Sequence, residues 1–274
     1  MESNAAQKWK WAALLAGLVA CLAPPPGVRA EFGENNPRPV WSIDSEMPGD
    51  VFTFVRIKYD SWATFRGWEK WTIDFPDAEL NFSYRLQQLT SLKVNPDPIY
   101  MELTNPDLKN YPFIYIIEPG HMILKEAEVA ALRKYLLSGG FLLVDDFWGE
   151  QEWENFYREI KRVFPEREPV ELPETHPIFS FVFPLKKHEL QIPNYGTGIE
   201  HQFTGITYER PDATEVHFKG LFDDKGRLMA VICHNTDLGD GWEREGINEY
   251  FFREFSEKKA FPLGINIVMY ALTH

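Results

Sequence analysis

A strand–helix–strand unit at the centre of the chain most constrains its fold. Phe113-Ile114-Tyr115-Ile116-Ile117 is a continuous apolar run, and so is Phe141-Leu142-Leu143-Val144. A strand with one solvated face alternates in polarity. A run that is apolar at every position fits a strand buried on both faces, as in a parallel sheet covered by helices. Between the two runs, Lys125 to Ser138 places Ala127, Ala130, Ala131, Leu132, Tyr135 and Leu136 on one helical face. Gly139-Gly140 ends that helix, because glycine accepts the left-handed cap conformation. A second helix is predicted near Gln151 to Phe164, packing through Trp153, Phe156, Tyr157, Ile160 and Val163 and closed by Pro165. Strand, helix, strand, helix in this order implies right-handed crossovers and an α/β fold with a parallel sheet.

The flanks extend this unit. Val51 to Tyr59 alternates and is rich in β-branched and aromatic residues, which predicts a first strand. Ser61 to Pro76 reads as a long surface loop carrying Trp62, Trp68 and Trp71, and loops of that length tend to be functional. These tryptophans are placed either to stack on a sugar or peptide or to pack locally. Ala78 to Leu92 has helical spacing at Leu80, Tyr84, Leu86 and Leu89. Residues 166–215 are rich in loops and are expected to elaborate one rim. Val216 to Phe222 and Leu228 to Cys233 flank Asp223-Asp224-Lys225-Gly226, the pattern of a hairpin. The stretch from Ile247 is predicted to be largely helical. With 44% hydrophobic residues there is material for a sizeable core, so residues 51–274 are expected to form one domain after a flexible lead-in at 31–50.

Residues 1–30 read as an export signal. Lys8 and Lys10 precede an apolar stretch, Trp11 to Ala23, that is short for a membrane span. Val28-Arg29-Ala30 offers small residues for cleavage before Glu31, whereas Leu18-Val19-Ala20-Cys21 resembles a lipoprotein box that would make Cys21 a lipid anchor. An uncleaved anchor is the third reading, and all three place the domain outside the cytoplasm, periplasmic or extracellular, touching a membrane only through an anchor. The other cysteine, Cys233, lies in an apolar run and leaves no partner for an internal disulfide. A formal net charge of −13, with no basic run longer than Lys186-Lys187-His188, argues against nucleic acid as a partner.

In open parallel sheets, ligands sit beyond the carboxyl ends of the strands. Lys58-Tyr59-Asp60, Glu118, Asp145-Asp146 and His234-Asn235-Thr236-Asp237 follow the predicted strands, with Asp240 and Trp242 just beyond. The candidate binding residues are therefore Glu118, Asp145, Asp146, His234, Asn235, Asp237, Asp240 and Trp242. Converging carboxylates raise one another's pKa or gather a cation. The alternative for each is structural, since Asp and Asn after a strand often cap the next helix. His121 and His176 are weaker candidates, and His176, in the turn His176-Pro177-Ile178-Phe179, reads as a structural histidine. No dinucleotide fingerprint, Walker loop, zinc-protease helix or GxSxG elbow occurs. No catalytic residue is assigned, no metal ligands are assigned, and the cofactor is unknown.

The combined order of motifs resembles a known family. Tyr111-Pro112-Phe113 to Glu118-Pro119-Gly120, Leu132-Arg133-Lys134-Tyr135-Leu136 into Gly139-Gly140-Phe141, Asp145-Asp146-Phe147, His176-Pro177-Ile178-Phe179, Asn235 to Trp242 and Gly264-Ile265-Asn266 to Leu272 resemble the bacterial domain of unknown function 4159. The resemblance covers about residues 51–274. It implies a fold like that of class I glutamine amidotransferases, a flavodoxin-like three-layer sandwich, and carries no activity. Amidotransferases of this fold use a cysteine after a central strand, where this chain has Asp145-Asp146. The expected function is binding of a small molecule, saccharide or envelope protein in the polar crevice. The alternative is a hydrolase using Asp145 or Asp146 with His234, with or without a divalent cation. A third reading gives Cys233 a redox or acyl-transfer role, which requires an exposed sulfur.

Overall fold

Five strands run parallel, four joined in sequence by crossovers and the fifth entered from an antiparallel hairpin, and this puts their carboxyl ends on one edge. In the computed structural model, which describes residues 41–43 and 50–274, the strands are β1 (Val55–Lys58), β2 (Ile99–Glu102), β3 (Phe113–Ile117), β4 (Phe141–Asp145), β5 (Val170–Glu171), β6 (His217–Phe222) and β7 (Leu228–His234). The proposed export signal, with Cys21, and most of the lead-in lie outside the described residues. The sheet order is β2-β1-β3-β4-β7-β6-β5. Pairs β1/β2, β1/β3, β3/β4 and β4/β7 are parallel, whereas β6 runs antiparallel to both β7 and β5.

The helices are α1 (Asp77–Leu89), α2 (Glu126–Leu137), α3 (Gly149–Val163), α4 (Tyr195–Thr204), α5 (Leu238–Glu243), α6 (Glu249–Phe251) and α7 (Phe261–Ala271). Alternate residues of the central strands enter two separate cores. Phe54, Phe113, Tyr115, Leu143 and Val231 pack with Phe82 of α1, Trp242 of α5 and Leu263 of α7. Ile57, Ile114, Ile116, Leu142 and Ile232 pack with Leu132 and Leu136 of α2 and Phe156 and Ile160 of α3. Every side chain of β3 is at most 1% exposed, and each large apolar group so buried contributes about 1.5–3 kcal/mol. That explains why the central strands read as unbroken apolar runs.

Several boundaries differ from expectation for physical reasons. The first strand starts only at Val55, because Phe52 makes an isolated bridge to Val94. The stretch from Ser61 to Pro76 is not an open loop. It folds into a two-residue ladder of Thr64–Phe65 with Trp68–Glu69 and a 3-10 turn at Lys70–Thr72, with Trp71 buried. Beyond α6, Phe252–Ala260 widens into a π-helix before α7 resumes the α geometry. Gly139 does take the left-handed conformation that ends α2, at φ 107°. Among the described residues no helix is long and apolar enough to cross a membrane.

Candidate functional site: a buried carboxylate pocket at the strand ends

At the carboxyl edge the chain leaves its strands through left-handed turns. Glu118 after β3 has φ 50°, Asp146 after β4 has φ 56°, and Asn235 after β7 has φ 61°. Such angles are uncommon for residues with a side chain. The turn at Asp146 separates two neighbouring acids. Asp145 stays in the sheet, where its Oδ2 accepts hydrogen bonds from the Tyr115 hydroxyl (3.1 Å) and from the backbone N–H groups of Leu238 (2.7 Å) and Gly239 (3.1 Å). It thus caps α5 from another element. Asp146 turns the other way, and its Oδ1 accepts a hydrogen bond from Trp148 Nε1 at 3.1 Å.

Asp237 is the N-cap of α5, with its Oδ1 accepting from Asp240 N–H at 2.7 Å, and its own N–H donates to Ile192 O at 2.8 Å. A third acid, Asp74, arrives from the segment before α1 and is also left-handed, at φ 61°. Arg56, in the middle of β1 and fully buried, places it. The guanidinium donates to the carbonyls of Trp71 (3.1 Å) and Ile73 (2.7 Å), ion-pairs with the fully buried Glu79 and lies 4.9 Å from the centre of the Tyr115 ring. It therefore pins the Trp71–Ile73 backbone to the sheet, directly before Asp74.

One carboxylate oxygen from each of Asp74, Asp146 and Asp237 lies within 4.8 Å of the other two. Ca2+ binds oxygens at about 2.3–2.6 Å, so two ligands of one ion sit at most about 5 Å apart. Asp74 Oδ2 is buried and has no hydrogen-bond partner among the described residues. It lies against Gly239, where a Cβ would come within 2.4 Å of it, so no larger residue fits there. Burial pushes Asp146, Asp237 and Asp74 well above the usual carboxylate range. The charges of Glu118 and Glu209 add to the shift on Asp146, those of Asp146 and Asp240 to the shift on Asp237, and those of Asp240 and Glu243 to the shift on Asp74. Glu209 itself, whose carboxylate accepts from Asn194 N–H at 2.8 Å, is pushed up to about 7, first by burial. Such a cluster must hold protons or a cation.

Asp74, Asp240 and Glu243 also approach within 4.8 Å of one another, but a resident cation serves this second group. Arg244 Nε lies 3.2 Å from Asp240 Oδ1 and 2.6 Å from Glu243 Oε2, while Asp240 Oδ2 accepts from Tyr195 N–H at 2.6 Å. Glu118 sits on the rim in an ion pair with Lys70.

The structure brings Asp146 and Asp237 together, with Glu118 and Asp240 around them. It places four other candidates in the scaffold. Asp145 is the cap just described. Trp242 is fully buried, 4.6 Å from the Phe82 ring centre, and donates to Ala260 O at 2.9 Å. Asn235 bridges Gly149 N–H (2.9 Å) and Glu215 O (2.8 Å). His234 lies between Phe147 (4.8 Å) and Trp153 (5.2 Å), with Nε2 3.1 Å from Gly149 O, and burial pushes its pKa down to about 4. An acid–His234 pair therefore has no place in the pocket. Cys233 is fully buried and its thiol is pushed up by burial, the opposite of a reactive thiolate.

Asp74, Glu209 and Glu243 were not among the sequence candidates. None of them follows a strand of the sheet; Asp74, just before Phe75-Pro76, and Glu209, just before Arg210-Pro211-Asp212, carry only a turn signal. Open concavities of about 490 and 810 Å³ lie elsewhere, the first between residues 103–112 and α2, the second around Val51–Thr53, Lys93 and Tyr111.

A search of curated proteins finds no match. The family model described as "Domain of unknown function (DUF4159)" matches residues 53–272, from just before β1 to the end of α7, and the chain belongs to that family.

Proposed function

We propose that this chain is a cation-dependent ligand-binding domain, with one divalent metal ion of Ca2+ type held by Asp74, Asp146 and Asp237. The observation that carries the reading is the convergence of two buried carboxylates and one half-buried one, Asp74, whose Oδ2 is buried and unpartnered, around a point that no Lys or Arg reaches by a described ion pair. Hard oxygen ligands of this kind select Ca2+, Mg2+ or Mn2+ over softer metals. The ion would leave coordination positions open toward the rim, where an oxygen-bearing ligand completes the shell. The 2-1-3-4 order of the first strands supports a flavodoxin-like three-layer fold with its ligand at this edge. An amidotransferase-like ancestry is compatible with that order, without the cysteine chemistry. Export to the cell envelope, read from residues 1–30, is part of the same proposal, since a site of this hardness suits the calcium-rich outside of the cell.

Isothermal calorimetry of the purified chain with Ca2+, Mn2+ and Mg2+ tests the reading. Binding of one ion, lost in D146N and in D237N, is the expected result. A heat of zero for all three ions overturns it.

A second reading is favoured by Glu209. A carboxyl group held at about 7 beside the pocket is suited to move a proton between water and the leaving group of an ester or amide. A cation held by Asp74, Asp146 and Asp237 would supply Lewis acidity there. Hydrolysis of an envelope ester or amide, lost in E209Q while cation binding persists, distinguishes this reading from simple binding.

A further inference from the structure

An aromatic arm stands on the same rim as the acids. It is the ladder Thr64–Phe65 with Trp68–Glu69, closed by Arg66 and Gly67. Trp62, Phe65 and Trp68 leave 54%, 48% and 55% of their surfaces exposed. Phe65 and Trp68 are a cross-strand pair of the ladder, and large aromatics exposed in this way on a surface mark an interaction site.

The arm is fastened to the pocket. Lys70 Nζ lies 5.8 Å from the Phe65 ring centre and ion-pairs with Glu118, whose charge acts on Asp146. The Trp62 ring packs on His121 at 4.5 Å, and Trp62 N–H donates to His121 O at 3.1 Å. A ligand at this rim meets two different surfaces at once: the partly exposed carboxylates of Glu118 and Asp74, which accept hydrogen bonds from hydroxyl groups, and flat rings that accept apolar C–H faces.

We propose that the arm is the stacking platform of a saccharide site, and that the ligand of the carboxylate pocket is a neutral oligosaccharide. A pyranose has both required sides, a rim of hydroxyl groups and an apolar C–H face. The inference rests on the pocket being a ligand site. Other occupants fit the arm less well. An anionic membrane finds little basic surface at the arm, where Lys70 is paired with Glu118 and Arg66 lies over the Phe65 ring. A peptide adding a strand needs a long edge, and the strands of the arm have two residues each.

The test uses chitohexaose and cellohexaose as probes, titrated into the full chain with Ca2+ present and followed by tryptophan fluorescence and calorimetry. Calcium binding is measured separately in every variant. The expected result is that at least one probe binds, that W62A/W68A weakens it by at least about tenfold, and that this variant still binds Ca2+. Equal affinity for wild type and W62A/W68A overturns the inference, as does binding of neither probe, or preferential binding of phosphatidylglycerol vesicles. Sugar binding that survives D146N/D237N but not W62A/W68A overturns the shared site. Absence of Ca2+ binding in wild type removes the cation reading alone, leaving the platform to be judged by the tryptophan variants.

Discussion

Replacing Asp237 by Asn is expected to stabilise the cation-free protein. Asn keeps the Oδ1 that caps Asp240 N–H and removes one charge from the group of three. At a separation of about 4.8 Å and an effective dielectric of about 20, each pair of ionised carboxylates repels by about 3.5 kcal/mol. The folded protein evades part of that cost by keeping protons on the cluster, so the gain on removing one charge is set by the penalty that remains, about 1–4 kcal/mol. For a domain of this size each kcal/mol moves Tm by roughly 2–4 °C.

The pH dependence has a definite sign. A carboxyl group whose folded pKa lies above its unfolded value destabilises the fold at pH above the folded pKa. The penalty disappears as pH falls toward the ordinary range. Burial raises all three acids, and neighbouring Glu209 and Glu243 are pushed to about 7 and about 8. The advantage of D237N should therefore be largest near pH 8 and shrink toward pH 4–5. Thermal melts followed by circular dichroism, with EDTA and with excess Ca2+, measure it. Wild type should gain stability from Ca2+, by about 2.7 kcal/mol at a hundredfold excess over Kd, and D237N should gain little. A D237N melt equal to or below wild type in EDTA at pH 8 would refute the repulsion argument.

R56M should lower stability by about 3–5 kcal/mol, because Glu79 is left as a buried unpaired charge. It should also weaken Ca2+ binding as the segment bearing Asp74 comes loose. An unchanged urea midpoint contradicts this. Cys233 should resist thiol reagents in the native protein and react only after unfolding, so rapid native labelling followed by mass spectrometry would show its burial to be wrong. G264A should cost about 1–3 kcal/mol or more in urea unfolding, since the added Cβ would come within 2.5 Å of the Phe82 ring and 2.7 Å of the Trp242 ring. A neutral effect would mean that those rings move aside freely.

The central strands and the helices between them were legible in the sequence because burial on both faces leaves a continuous apolar signature. The edge bearing Asp146 and Asp237 was legible for the same reason: parallel strands end on one side. What each acid does there was not. Asp145 and Asp146 are adjacent and identical in type, and only the left-handed turn sends one into a helix cap and the other into the pocket. Asp74 depends on Arg56, a charge in the middle of a strand, which pattern reading assigns to solvent and the fold buries against Glu79. Trp242 and His234 follow a buried strand in sequence but turn inward, because the core beside them has room for rings. The π-helix at Phe252–Ala260 has no signature in residue spacing, since its wider turn is set by packing and not by propensity.

The four left-handed turns at Asp74, Glu118, Asp146 and Asn235 restrict how this edge can drift under mutation. Each non-glycine residue there carries about 1–2 kcal/mol of steric penalty, so glycine would relieve strain at every one of them, yet would delete a carboxylate at three. Val, Ile and Thr are shut out by their branched Cβ. Substitution at these positions is thus confined to a narrow set, Asp, Asn, Glu or Gly, and in that set comfort of the backbone and charge in the crevice pull in opposite directions.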